Sequence, residues 1–103
     1  MDFFDFFLYT YNFCERISVE QIASRLNLDI AYFSRKFTEE VGTSPKKYIL
    51  KKRIERAKEL LRTTDANIFE ISNSVGYDDQ FYFCRIFKKN VGVAPSEYRK
   101  TLP

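Results

Sequence analysis

Residues 75–98 read VGYDDQFYFCRIFKKNVGVAPSEY, and residues 26–48 read LNLDIAYFSRKFTEEVGTSPKKY, one residue shorter. Phe33, Arg35, Phe37, Val41, Gly42, Pro45 and Tyr48 recur fifty positions on as Phe83, Arg85, Phe87, Val91, Gly92, Pro95 and Tyr98. Ahead of this block the spacing drops to forty-nine, with Ile22 matching Ile71, Leu26 matching Val75 and Leu28 matching Tyr77. The second copy therefore carries one added residue within positions 77–80. A period of this length means one supersecondary unit made twice.

Each copy reads as helix, tight turn, helix. Ser18 with Gln21, and Asn67 with Glu70, are capping-box pairs that start helices. Ile22, Ala23 and Leu26, and then Ile68, Ile71 and Val75, give the three- and four-residue spacing of one buried face. Asn27 and Gly76 follow where a left-handed backbone would end each helix. Asp29, and Asp78 or Asp79, can cap the second helices, which turn Phe33, Phe37 and Val41, or Phe83, Ile86, Phe87 and Val91, to the core. Gly42 and Gly92 close these helices, and Pro45 and Pro95 open the next ones at the position where a missing N–H costs nothing.

Between the copies, Leu50, Ile54, Ala57 and Leu61 keep helical spacing, which predicts one long helix over 45–62, with a break at 63–67. The aromatic stretch Phe3 to Phe13 reads as a further helix packed on the first copy. A membrane-surface role suits it less, since Asp2, Asp5 and Glu15 would be repelled by anionic lipid. The expectation is an all-α chain of about seven helices, a single domain over 1–103. Its parts are a first helix-turn-helix unit (1–44), a linker helix (45–62) and a second unit (63–103).

At 103 residues and 45% apolar, the chain has the length of one domain with a modest core. It has no run of about 18 apolar residues and no basic start followed by a small-residue cleavage site, so a cytoplasmic location is expected, with no membrane partner. Cys14 and Cys84 stand far apart in a chain without histidine, which argues against a zinc site and gives no disulfide framework. An enzyme needs a nucleophile with a base, or a metal with ligands. Here there is no histidine, no Gly-rich phosphate loop and no paired carboxylates on one helix face, so neither catalysis nor a cofactor is expected.

The net charge of +3 is spread unevenly: 46–62 holds eight basic and two acidic residues, whereas 1–15 holds three acidic and none basic. A local basic surface suits a nucleic-acid partner, although solvated helix faces are often basic too. The architecture adds to this, because the major groove of DNA, about 12 Å wide, admits one α-helix. Two units held on one side of a linker helix could enter successive groove segments about 34 Å apart, so that a monomer reads two unlike half-sites.

The chain resembles the DNA-binding domain of the AraC/XylS family of transcription regulators over nearly its whole length, from Ile17 to Arg99. The most specific part is Val75-Gly76-Tyr77, Tyr82-Phe83, Arg85, Phe87-Lys88-Lys89, Gly92, Pro95 and Tyr98-Arg99, with Tyr48, Arg53, Ala57 and Leu60-Leu61 matching in the linker. Ser72 and Asn73 stand where that family usually has small apolar residues, and Asn27 replaces a frequent glycine. The resemblance implies a homeodomain-like fold and sequence-specific binding of double-stranded DNA. It also implies transcription regulation in bacteria, with RNA polymerase as a further partner. Such domains are usually coupled to an effector-binding, dimerisation or receiver domain. With its acidic, aromatic start, the chain thus reads as the carboxy-terminal output domain of a longer regulator, and the resemblance points to a two-component response regulator. A stand-alone regulator remains the alternative, as does a helical protein-interaction domain. In isolation a monomer is expected.

The face opposite Phe33 and Phe37 holds Ala31, Ser34, Arg35 and Thr38. Its counterpart holds Phe81, Cys84, Arg85 and Lys88, with Gln80 at the helix start. The resemblance implies that base contacts are made here, by Ala31, Ser34, Arg35, Gln80, Phe81 and Arg85. Arg35 and Arg85 lead because guanidinium bonds bidentately to guanine O6 and N7, Gln80 can pair with adenine, and Phe81 can meet a thymine methyl. Phosphate contacts are expected from Thr38, Lys46, Lys47, Lys51, Lys88 and Lys89. The competing readings are ion pairs of Arg35 with Glu39 and Arg85 with Asp79, a core role for Phe81, partial burial of Tyr32 and Tyr82, and a redox-sensing Cys84 activated by Arg85.

Overall fold

The computed structural model describes residues 18–102. These form six helices and no strand: α1 (Val19–Arg25), α2 (Ile30–Val41), α3 (Pro45–Thr63), α4 (Ile68–Ser74), α5 (Gln80–Val91) and α6 (Pro95–Lys100). The all-α architecture follows the expectation. The amino-terminal helix expected over Phe3 to Phe13, with Cys14 and Ile17, lies outside the described residues.

Caps fix most of the helix starts. Ser18 and Gln21 form a reciprocal capping box on α1, Asp29 accepts from Tyr32 N on α2, and Ser44 accepts from Lys47 N on α3. Asn67 accepts from Glu70 N on α4 at 2.8 Å. At α5 the choice between two aspartates resolves to Asp79, which accepts from Phe81 N and Tyr82 N. Asp78 is thereby the added residue, sitting in the turn ahead of the cap. The helix phase of α5 thus repeats that of α2.

The turns inside the two units are alike. Leu28 N donates to Ala23 O and Tyr77 N to Ser72 O, both at 2.9 Å, wrapping the chain back over the last helical turn. This closure needs a left-handed residue in between. Asn27 (φ 57°) and Gly76 (φ 98°) supply it.

Two cores result. In the first, Ile22 and Ala23 of α1 meet Phe33 and Phe37 of α2 and Ile49 of α3. In the second, Ile54, Ala57 and Leu61 of α3 meet Ile71 and Val75 around Phe83 and Phe87. Helix α3 serves both by turning successive faces to them, Ile49 to one and Leu50 onward to the other. Ile49 is the core residue that the spacing of Leu50, Ile54, Ala57 and Leu61 leaves out. The buried phenylalanines meet in matching tilted pairs: Phe33 with Phe37 at 5.8 Å, and Phe83 with Phe87 at 5.9 Å. Ser72 is wholly buried yet satisfied, its hydroxyl donating to Tyr77 O at 3.2 Å. The hydroxyl thus keeps a partner where a small apolar residue would need none.

Candidate nucleic-acid interface

Helices α2 and α5 carry the candidate base-contact residues. Each buries one aromatic stripe and turns the opposite stripe outward. On α2, Ala31, Arg35 and Thr38 are exposed and Ser34 is half-buried. On α5, Phe81, Arg85 and Lys88 are exposed, while Gln80 and Cys84 are half-buried. Phe81 is 73% exposed, which removes the core reading for it. Because Asp78 is accommodated before the cap, Phe81 occupies on α5 the place of Ala31 on α2.

The ion-pair reading of the two arginines also gives way. Glu39 pairs with Lys36 at 3.7 Å, and the Asp79 carboxylate is engaged as a helix cap. Arg35 lies instead over the ring of Tyr32 at 5.6 Å, and Arg85 over Tyr82 at 5.9 Å. Tyr32 and Tyr82, expected to be partly buried, are 42% and 46% exposed, since each lies along the helix surface beneath its arginine. The signal for this in the sequence is the Tyr-x-x-Arg spacing, which brings side chains together on one helix face.

Cys84 is a free, half-buried thiol. Burial pushes it above the ordinary thiol range, so Arg85 beside it in sequence does not activate it. The shift runs opposite to the lowering that the redox-sensing alternative needs.

Thr38 Oγ1 donates to Ser34 O at 2.8 Å, so its hydroxyl proton must be redirected before it can serve a phosphate. Lys46, Lys47 and Lys51 are exposed on the first turns of α3, and Lys88 and Lys89 are exposed on the last turn of α5. The two groups differ in what the helix dipole does. Lys88 and Lys89 sit favourably at a carboxyl end, whereas Lys46 and Lys47 sit at the positive end of a 19-residue helix with no acidic residue in its first turn. Stability alone would not choose lysines there, while an incoming anion would gain from both the lysines and the helix dipole.

The outward faces of the two units are held by one helix. Ile30 and Ser34 from α2 and Tyr82 and Ile86 from α5 line a single cleft of about 550 Å³, floored by Ile49 and Leu50 of α3. Sequence reasoning missed a further contact at its edge: Arg53 of α3 lies over the ring of Tyr77 at 5.1 Å. No helix among the described residues is long and apolar enough to cross a membrane.

Comparison with known proteins gives a consistent result. A family model described as a helix-turn-helix domain matches residues 22–101. The Msm operon regulatory protein of Streptococcus mutans is 40% identical over 86 residues, which are 84% of this chain and 31% of that protein. The carboxy-terminal domain of AraT, a response regulator from Geobacillus stearothermophilus, superposes with a TM-score of 0.85 at 41% identity, covering 88% of this chain and 76% of that one. The DNA-binding domain of AdpA, a global transcriptional factor solved in complex with a target DNA, superposes with a TM-score of 0.80 at 26% identity, covering 85% of this chain and 79% of that one. The chain spans about three-tenths of the length of the curated relatives it matches.

Proposed function

The chain belongs to the AraC/XylS family of helix-turn-helix transcription regulators, and from that premise we propose that it is a sequence-specific reader of double-stranded DNA. Helices α2 and α5 enter successive major-groove segments. Arg35 and Arg85 bond guanine edges, Gln80 and Phe81 read neighbouring bases in the second unit, and Ala31 and Ser34 do so in the first. Lys46, Lys47, Lys51, Lys88, Lys89 and Thr38 engage phosphates and set register without reading sequence.

The observation that carries this reading is the duplicated geometry: equivalent arginines, exposed on equivalent helices, each lie over the ring of the tyrosine three positions before them. A protein-interaction domain would have no need for two such arginines in register. The described residues span 42 × 24 × 22 Å, long enough along one axis for two helices set one DNA turn, about 34 Å, apart.

The whole regulator, of which this is the DNA-reading part, would act on transcription in the cytoplasm, with RNA polymerase as a partner. The likeness to the AraT domain favours a carboxy-terminal output domain driven by a receiver over a stand-alone regulator. The test is a selection of duplexes from a random library at about 0.15 M salt, where non-specific binding is weak. A motif with two segments about one helical turn apart supports the reading. Uniform, salt-sensitive binding without a motif contradicts it.

A further inference from the structure

The cation–ring contact recurs in both units, but among the described residues only the second unit extends it. Arg85 lies over Tyr82, the ring of Tyr82 stands 5.9 Å from that of Tyr77, and Tyr77 lies 5.7 Å from the core ring of Phe83 and beneath Arg53 of α3 at 5.1 Å. A line of rings and cations therefore runs from the linker helix to the outward face of α5. In the first unit Arg35 lies over Tyr32, but the residue equivalent to Tyr77 is Leu28, which has no ring to pass the support on.

We propose that Tyr82 is a positioning residue for Arg85, braced through Tyr77 against α3, so that the second unit reads its guanine with less freedom than the first reads its own. The inference rests on the reading that Arg85 contacts a base. Stacking uses the flat face of a guanidinium and leaves its N–H edge free, and that edge is what bonds guanine O6 and N7. An arginine already held against a ring gives up less rotamer freedom on binding. A contact of this kind at an exposed site corresponds to about a two- to fivefold effect.

The experiment compares the full chain with Tyr82→Leu, Tyr82→Phe, Tyr77→Leu and Arg85→Ala. The probes are duplexes recovered by library selection and their single-base variants, and thermal unfolding is followed alongside. Tyr82 is half-exposed, so Tyr82→Leu is expected to keep the fold whatever Tyr77→Leu does. Arg85→Ala first identifies the base pair that Arg85 reads. At that pair Tyr82→Leu lowers discrimination two- to fivefold, Tyr82→Phe retains it, and the segment read by Arg35 is unchanged in both. The proposal is overturned if Tyr82→Leu leaves discrimination intact, if Tyr82→Phe loses as much as Tyr82→Leu, or if the loss falls on a different base pair. Should Arg85→Ala relax no base pair, the base-reading role of Arg85 fails and the proposal fails with it, an outcome distinct from the other three.

Discussion

Arg99 holds the carboxyl end of α3 by its backbone: its Nε donates to Leu61 O at 3.2 Å, and its Nη2 donates to Thr64 O at 3.1 Å. Leu61 O is among the last four carbonyls of α3, which have no partner within the helix. Its satisfaction by a side chain 38 positions on ties α6 to the linker helix just where the second unit begins.

Arg99→Ala is therefore expected to lower the unfolding free energy by about 1–3 kcal/mol, the range for losing charged hydrogen bonds. Arg99→Lys recovers part of it, since an ammonium cannot reproduce the two-pronged geometry. Urea denaturation measures both, and an unchanged midpoint in Arg99→Ala would show that the clasp carries no stability.

Phe81 and Phe87 lie six positions apart on one helix and should behave oppositely. Phe87 is fully buried, so Phe87→Ala costs about 3–5 kcal/mol and endangers the fold. Phe81 is 73% exposed, so Phe81→Ala leaves stability within about 0.5 kcal/mol but changes sequence preference at one base pair. Calorimetry and library selection on the two variants check this contrast. A large loss of stability in Phe81→Ala would contradict it.

Replacing Lys46 and Lys47 together by Gln should weaken binding to all duplexes alike. If each lysine neutralises one phosphate, the slope of log K against log salt falls by about 0.9 per residue, or roughly 1.8 for the pair. The fold should lose nothing, because the positive end of α3 is relieved of two like charges. A salt titration in which the slope does not move assigns both lysines to solvent.

The burial of Cys84 sets the sign of a pH effect. Its thiol is pushed up in the folded chain, so the unfolded chain gives up its proton first as pH rises. The contribution to stability is complete below the unfolded thiol's pKa and is lost as pH climbs through the folded value. In a Cys14→Ser background, alkylation of Cys84 should be slow at neutral pH, and mild oxidant should leave DNA affinity unchanged. Rapid alkylation near pH 7 would restore the redox reading.

Much of this architecture was legible in the sequence because each signal is local. The caps at Ser18, Asp29 and Asn67, the left-handed Asn27 and Gly76, and the prolines at 45 and 95 all act within a turn of where they stand. Asp79 could not be separated from Asp78 by spacing alone, because either can accept an amide proton. Only the three-dimensional turn decides which aspartate begins the helix, and the exposure of Phe81 depends on that choice. Ile49 lies off the stripe of Leu50, Ile54, Ala57 and Leu61 because α3 packs against two cores on different faces. The Arg53–Tyr77 contact joins residues 24 positions apart in sequence and leaves no periodic trace.

The proposed function stands on both outward arginines reading bases. The most direct test is a library selection at about 0.15 M salt run in parallel on the chain, Arg35→Ala and Arg85→Ala. A two-part motif is expected from the unaltered chain. Each variant should lose preference at one guanine in one part, by about 1–3 kcal/mol, and leave the other part intact. If both variants recover the unaltered motif, or weaken every duplex equally, the arginines contact no bases and α2 and α5 do not read sequence through them.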